Sequence, residues 1–132
     1  MAFTQEWILP DKIIYVAFTG ELTSQQVSQV DVSLNQALDE STASMVHIVI
    51  NDSGITAMPS ITSLRSLTVA SHHKLGWVVI YGNKNKGLRF TTNIATHLLG
   101  FKFMFTESYA DAMQKLSDND PSLSPPIDFK PS

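Results

Sequence analysis

The stretch Met45-Val46-His47-Ile48-Val49-Ile50-Asn51-Asp52-Ser53-Gly54-Ile55-Thr56-Ala57-Met58-Pro59-Ser60 decides the fold class. Its apolar run stops abruptly at Asn51-Asp52-Ser53-Gly54, and a helical period begins near Ser60. That succession predicts a buried strand over 45–51, a polar turn at 51–54 and a helix entry at Ser60. In an α/β chain the arrangement puts ligand-facing groups at the carboxyl edge of a parallel sheet. It locates an edge and discloses no reaction.

Working outward towards the amino end, residues 12–19 (Lys-Ile-Ile-Tyr-Val-Ala-Phe-Thr) are apolar on both alternating faces, as in a central strand. Residues 3–8 alternate weakly and end at Pro10-Asp11, so the two strands are expected to pair as an antiparallel hairpin. Thr23 and Gln26 have capping-box spacing. Val27, Val30, Leu34 and Leu38 then place one face of a helix over 24–40 against the sheet. Towards the carboxyl end, Ile61, Leu64 and Leu67 predict a short amphipathic helix over 60–70. Residues 75–81 (Leu-Gly-Trp-Val-Val-Ile-Tyr) predict another two-faced strand, and 82–87 a loop. Leu88, Ile94, Ala95, Leu98 and Leu99 mark a helix closed by Gly100. Phe101, Phe103 and Phe105 alternate along a last strand, and 109–116 form a final short helix. The order is β-β-α-β-α-β-α-β-α, which implies parallel pairing with right-handed crossovers.

A chain of 132 residues with 43% hydrophobic and 16% charged side chains is expected to form one domain with a sizeable core. The domain is read as residues 1–117. Residues 118–132 are read as a polar, loosely ordered tail, because four of the six prolines lie there. With 9 basic against 12 acidic side chains, a nucleic-acid footprint is absent. No cysteine is present, so disulfide and thiol chemistry are excluded. The opening Met-Ala-Phe-Thr-Gln-Glu-Trp has no basic segment followed by an apolar one, and no apolar run reaches bilayer-spanning length. A cytoplasmic location without a transmembrane segment is the expectation.

The order of elements and residues 50–60 (Ile-Asn-Asp-Ser-Gly-Ile-Thr-Ala-Met-Pro-Ser) resemble the STAS family, that of sulfate-transporter cytoplasmic domains and anti-sigma-factor antagonists, with looser relatives that share features with lipid-carrier domains. Trp7-Ile-Leu-Pro10, Ile13-Ile-Tyr-Val16, Gly20 and Thr23 are similar to the family's paired first strands and their exit into a helix. The resemblance spans about Trp7 to Leu116. It implies an α/β STAS-like sandwich with a mixed five-stranded sheet and four helices. In phospho-switch members a helix-start serine accepts phosphate, and that position falls on Ser60. Here Pro59 precedes it and Ile61-Thr62 follow it, where the family carries an acid and a glycine.

Several residues are candidates for a site. Ser60 is a candidate phospho-acceptor at a helix N-terminus, where backbone N–H groups stabilise added negative charge; the competing role is a plain capping serine. Asn51, Asp52 and Ser53 form a candidate edge for ligand hydroxyl or phosphate groups, against an Asx-type turn satisfying its own backbone. Lys84, Lys86 and Arg89 crowd a helix start, where cations gain nothing from the dipole and a bound anion or acidic partner would resolve the mismatch. The glycine spacing there is not that of a P-loop. His72-His73-Lys74 ends a helix; adjacent histidines are expected to diverge, and no metal site is expected. No nucleophile elbow is present and no cofactor is implied.

One further expectation concerns the sheet faces. Sequential winding with one hand of crossover gathers helices on one face. Ile14, Val16, Ile48, Ile50, Val78 and Ile80 share one parity and are expected under the helices. Tyr15, His47, Trp77, Val79 and Tyr81 share the other, a composition suited to a half-wet interface, unless the N-terminal strand, helix ends and tail cover it. Tyr15, His47, Trp77 and Tyr81 are therefore interface candidates, with a hydrogen-bonded core position the other reading for His47, and a homodimer through them is one form such a patch would allow. The functional expectation is a non-enzymatic regulatory module that contacts an unidentified protein partner. The alternative is a small-molecule carrier, for lipid or nucleotide, using the aromatic face or the basic loop.

Overall fold

β-branched and aromatic residues dominate the runs that become strands, and 3.6-residue apolar periods become helices. The computed structural model describes residues 3–123, apart from the side chain of Phe90. In chain order the elements are β1 (Phe3–Leu9), β2 (Ile13–Glu21), α1 (Ser24–Glu40), β3 (Val46–Ala57) and α2 (Ile61–Arg65). A single 3-10 turn (Val69–Ser71) follows, then β4 (Leu75–Tyr81), α3 (Lys86–Leu99), β5 (Phe103–Thr106) and α4 (Tyr109–Asn119). The sheet runs β1-β2-β3-β4-β5, with β1 antiparallel to β2 and every other pair parallel. This is the predicted mixed five-stranded α/β architecture.

Because neighbouring strands are consecutive and crossovers share one hand, α1, α2 and α3 collect on one face. Ile14, Val16, Ile48, Val78 and Ile80 meet Val27, Val30, Leu34 and Leu38 of α1, Leu64 of α2 and Ala95 of α3 in one core. The four buried apolar side chains of α1 contribute about 1.5–3 kcal/mol each as an upper bound. The Thr23–Gln26 capping box is formed, with Gln26 N donating to Thr23 Oγ1 and Thr23 N donating to Gln26 Oε1. Gly100 closes α3 in the left-handed conformation.

The other face differs from the expectation. Among the described residues no further strand follows β5, so α4 is not bound by the crossover rule and folds back across the opposite side. There Ala112, Met113 and Leu116 of α4 and Leu123 pack on Ile13, Tyr15, Val49 and Val79. Tyr15 and His47 are 2% and 1% exposed, so the ring-bearing face is an internal second core and not a half-wet surface. Trp77 and Tyr81 are half-buried against it.

Three boundaries also move. The expected turn at 51–54 is a bulge inside a longer β3. Ala17 pairs with Asn51 and Thr19 with Gly54, so β3 carries one extra residue there; it runs on beside β2 to Ala57, with a second extra residue between Ile55 and Ala57 opposite Gly20 and Glu21. Gly54 permits this because a Cβ there would lie 2.6 Å from Phe18 O. The helix over 60–70 is only the short α2 plus the 3-10 turn: Ser66 Oγ donates back to Ser63 O at the end of α2, and Asp31 of α1 accepts from Thr68 Oγ1 and Val69 N at the start of the 3-10 turn. Finally, α4 extends to Asn119 and Leu123 is buried, so the packed unit passes the expected boundary at 117. Residues 124–132 of the expected tail lie outside the described residues. Among the described residues no helix is long and apolar enough to cross a membrane.

Candidate functional site

At the carboxyl edge of the sheet, β4 stops pairing with β3 at Tyr81–Asn51 while β3 runs on. The loop after β4 takes over. Asn83 Nδ2 donates to the carbonyls of Asp52 (2.9 Å) and Ile55 (3.2 Å), supplying side-chain donors where strand donors have ended. Asp52 Oδ1 in return accepts from Asn83 N at 2.9 Å and lies 3.4 Å from Arg89 Nη2. Arg89 Nη2 also donates to Asn83 O, and its guanidinium stacks 4.4 Å from the Phe105 ring centroid.

Asp52 is thus a buried carboxylate, 5% exposed, held by the loop it anchors. Burial pushes its pKa up, and the Arg89 charge and the Asn83 amide only partly offset that. Arg89 Nη1 is buried with no hydrogen-bond partner. Asn51 and Ser53 do form an Asx motif: Asn51 Oδ1 accepts from Ser53 N (3.0 Å) and Ser53 Oγ (2.7 Å). Asn51 Nδ2 donates to Tyr15 Oη at 2.9 Å. Tyr81 shares that polar strip; burial first, then the Tyr15 hydroxyl, push its phenol above the usual range.

The basic loop forms the rim of a shallow basin of about 460 Å³ bounded by Asn83, Lys84, Asn85, Lys86, Arg89, Asn93 and Phe105. Lys84 and Lys86 are exposed and make no ion pair or hydrogen bond among the described residues. Asn85 caps α3, its Oδ1 accepting from Gly87 N and Leu88 N. The two lysines therefore stand beside a 14-residue helix's N-terminus with their charge unspent.

Ser60 is the N-cap of α2, accepting from Ser63 N at 3.2 Å. The sequence did not suggest its company: Ser63 Oγ lies 3.1 Å from Ser60 Oγ and 2.7 Å from Ser24 Oγ at the start of α1. Three hydroxyls link the entries of α1 and α2, with Ser60 and Ser24 exposed.

At the opposite end of the sheet lies a pair that sequence reasoning missed. Opposite His47, strand β4 bulges: Val46 pairs with Leu75 but Ile48 with Val78. The Trp77 amide donates to His47 Nδ1 at 2.9 Å, so the imidazole stands in for a backbone acceptor. That leaves the ring proton on Nε2, which donates to Asp120 Oδ2 at 3.0 Å. The His47 hydrogen bond, then that of Ser122, holds the Asp120 carboxyl below the usual range. Its sequence signal was faint, because Asp120 sat in what reads as a polar tail. His72 and His73 do not diverge: their rings stack at 4.8 Å and 13°, and His72 Nε2 pairs with Asp39 at 2.7 Å.

The structure thus joins Asp52 with Arg89 and Asn51 with Ser53. It buries Tyr15 and His47, and leaves Ser60, Lys84 and Lys86 exposed on the carboxyl edge.

No family model and no curated protein sequence matches the chain. Solved structures do. An uncharacterised DUF3478-family protein with a SpoIIAA-like fold from Shewanella loihica PV-4 superposes with TM-score 0.62 at 20% identity, covering 87% of this chain and 92% of its own. The anti-sigma factor antagonist SpoIIAA in its unphosphorylated form gives 0.60 at 18%, covering 87% and 97%. The Bacillus cell fate determinant SpoIIAA in the phosphorylated form gives 0.55 at 17%, covering 87% and 99%. Identities this low speak to architecture and not to activity. The β-β-α-β-α-β-α-β-α order, the sheet topology and these superpositions together make the chain a divergent SpoIIAA-like, STAS-type fold.

Proposed function

We propose that this chain is a non-enzymatic regulatory module that binds an acidic surface of a protein partner at the carboxyl edge of its sheet. The observation that carries the reading is the pair Lys84 and Lys86, exposed and unpaired among the described residues beside the α3 N-terminus. Such a rim attracts carboxylates and speeds their encounter. Ser60 shares the carboxyl edge and is the proposed phosphate acceptor. A phosphoryl group adds about −1.5 to −2 charge, which would weaken an acidic partner's attraction. A SpoIIAA-like architecture, with solved neighbours in unphosphorylated and phosphorylated forms, supports that assignment. Tyr15 and His47 drop out as partner contacts, because both are buried, Tyr15 under α4 and His47 against Asp120 at its end.

The test is photo-crosslinking in cells of the source organism, with the crosslinker placed at Ser60 or Lys84 and, as controls, at Asp11 or Asp39. The reading requires a discrete heavier adduct from the first pair alone, lost in Lys84→Glu/Lys86→Glu. It also requires a single phosphate by intact mass that disappears in Ser60→Ala. Adducts from all four positions, or from none, would reject the docking edge.

A further inference from the structure

Between the sheet and the α1–α2–α3 layer lies a cavity of about 130 Å³. Its floor is Ile48, Val78 and Ile80, and its roof includes Val30 and Leu34 of α1 and Leu64 of α2. From these residues we infer that the chain has a binding site for one compact, uncharged apolar molecule, with the bulk of a single aromatic ring or a short branched hydrocarbon. The site meets the docking edge at Asp52 and does not depend on the function proposed for that edge.

The chemistry of the wall selects the ligand class. Only Asp52, Thr92 and Thr96 bring polar side chains to it. Thr92 Oγ1 donates to Leu88 O at 2.9 Å, and Thr96 Oγ1 donates to Thr92 O and Asn93 O at 3.0 and 2.9 Å. The Asp52 carboxylate is engaged by Asn83 and Arg89. No polar side chain on the wall is left without a partner. Several waters would fit by volume, yet each needs two to four polar partners, so an apolar cavity of this kind stays dry. A dry cavity of about 150 Å³ accepts benzene, which sets the scale of the ligand. A charged or strongly polar group inside would lose its hydration without replacement.

The fold also supplies an entrance. Met58, Leu67 and Leu99 line the cavity and are half-buried, so they reach solvent as well. Leu67 sits in the link between the five-residue α2 and the 3-10 turn, where no long helix braces the roof. The aromatic face and the basic loop, named from sequence as carrier surfaces, are not involved.

Methyl-labelled full-length protein titrated with benzene tests the site by NMR. Saturable shifts are expected at the methyls of Val30, Ile48 and Leu64, with those of Val49 and Val79 across the sheet unmoved. Benzoate, the same ring with a charge, should bind at least tenfold more weakly. Ala95→Leu and Ala70→Leu, each filling the cavity from a lining position, should weaken benzene at least tenfold. Lys84→Glu/Lys86→Glu should leave the titration unchanged. Absence of saturation in the wild-type protein, equal shifts on both faces, equal affinity for benzoate, or an undiminished response in a folded cavity-filling variant would each overturn the site.

Discussion

Gly76→Ala adds a single methyl group to β4, and its sign depends on whether two neighbours, the His47 ring above all, can yield. A Cβ at Gly76 would lie 2.5 Å from His47 Nδ1, 2.7 Å from His47 Cε1 and 2.8 Å from Met45 Cγ. Ordinary contacts are about 3.5–4.0 Å, so the ring has to retreat by roughly 1 Å. It has nowhere to go. Nδ1 is tied to the Trp77 amide and Nε2 to Asp120, and the residue is 1% exposed. Overpacking of this kind costs about 1–3 kcal/mol. Losing one of the two hydrogen bonds leaves a buried group unpaired for about 1–3 kcal/mol more. The gain from replacing glycine, about 0.4–1 kcal/mol through the unfolded chain, is smaller. Net destabilisation of about 2–4 kcal/mol is therefore expected. With a urea slope of about 1–3 kcal/mol/M, the midpoint falls by about 1–2 M. Urea unfolding followed by tryptophan fluorescence measures it. The decisive control repeats Gly76→Ala in a His47→Ala background, where only the flexible, 43% exposed Met45 side chain has to step aside and the step should cost less than about 0.5 kcal/mol. A Gly76→Ala variant as stable as wild type, or an equal penalty in both backgrounds, would refute the assignment of His47 as the plug of the bulge.

Other expectations follow from the same geometry. Asp120→Ala should cost about 1–2 kcal/mol at neutral pH, by removing the charged acceptor of His47 Nε2–H. Because the folded Asp120 pKa is lowered, its contribution is present above the ordinary carboxylate range and fades as pH falls through the folded value. The gap between variant and wild type in urea midpoints should accordingly narrow below about pH 4. Asp52 has the opposite sign: its folded pKa is raised, so stability is full below the ordinary value and is lost as pH rises through the folded one. Arg89→Met removes the compensating charge and should cost about 1–3 kcal/mol, with a larger deficit at pH 8 than at pH 5 in urea titrations. Thr23→Ala should cost about 1 kcal/mol through the capping box, seen as a melting temperature lower by about 3–5 °C in a circular-dichroism scan.

Local chemistry made most of the architecture readable in advance. The aliphatic parity set of β2, β3 and β4 belonged under helices whatever the details, because a right-handed crossover leaves α1, α2 and α3 a single side on which to pack. Thr23, Ser60 and Gly100 act within four residues of themselves, so their capping roles needed only spacing. Ser60, Lys84 and Lys86 were legible as exposed groups on the carboxyl edge for the same reason.

Tertiary structure decided what lay beyond that range. Whether Asn51-Asp52-Ser53-Gly54 turns or bulges depended on β2 continuing alongside, a partner more than thirty residues away. The fate of Tyr15 and His47 depended on α4, which no crossover constrained and whose last residues look like tail in composition. The cavity is set by how far three helices stand from the sheet. Residue identities state which side chains avoid water; distances between separate elements depend on the whole packing at once, and no short window of sequence contains them.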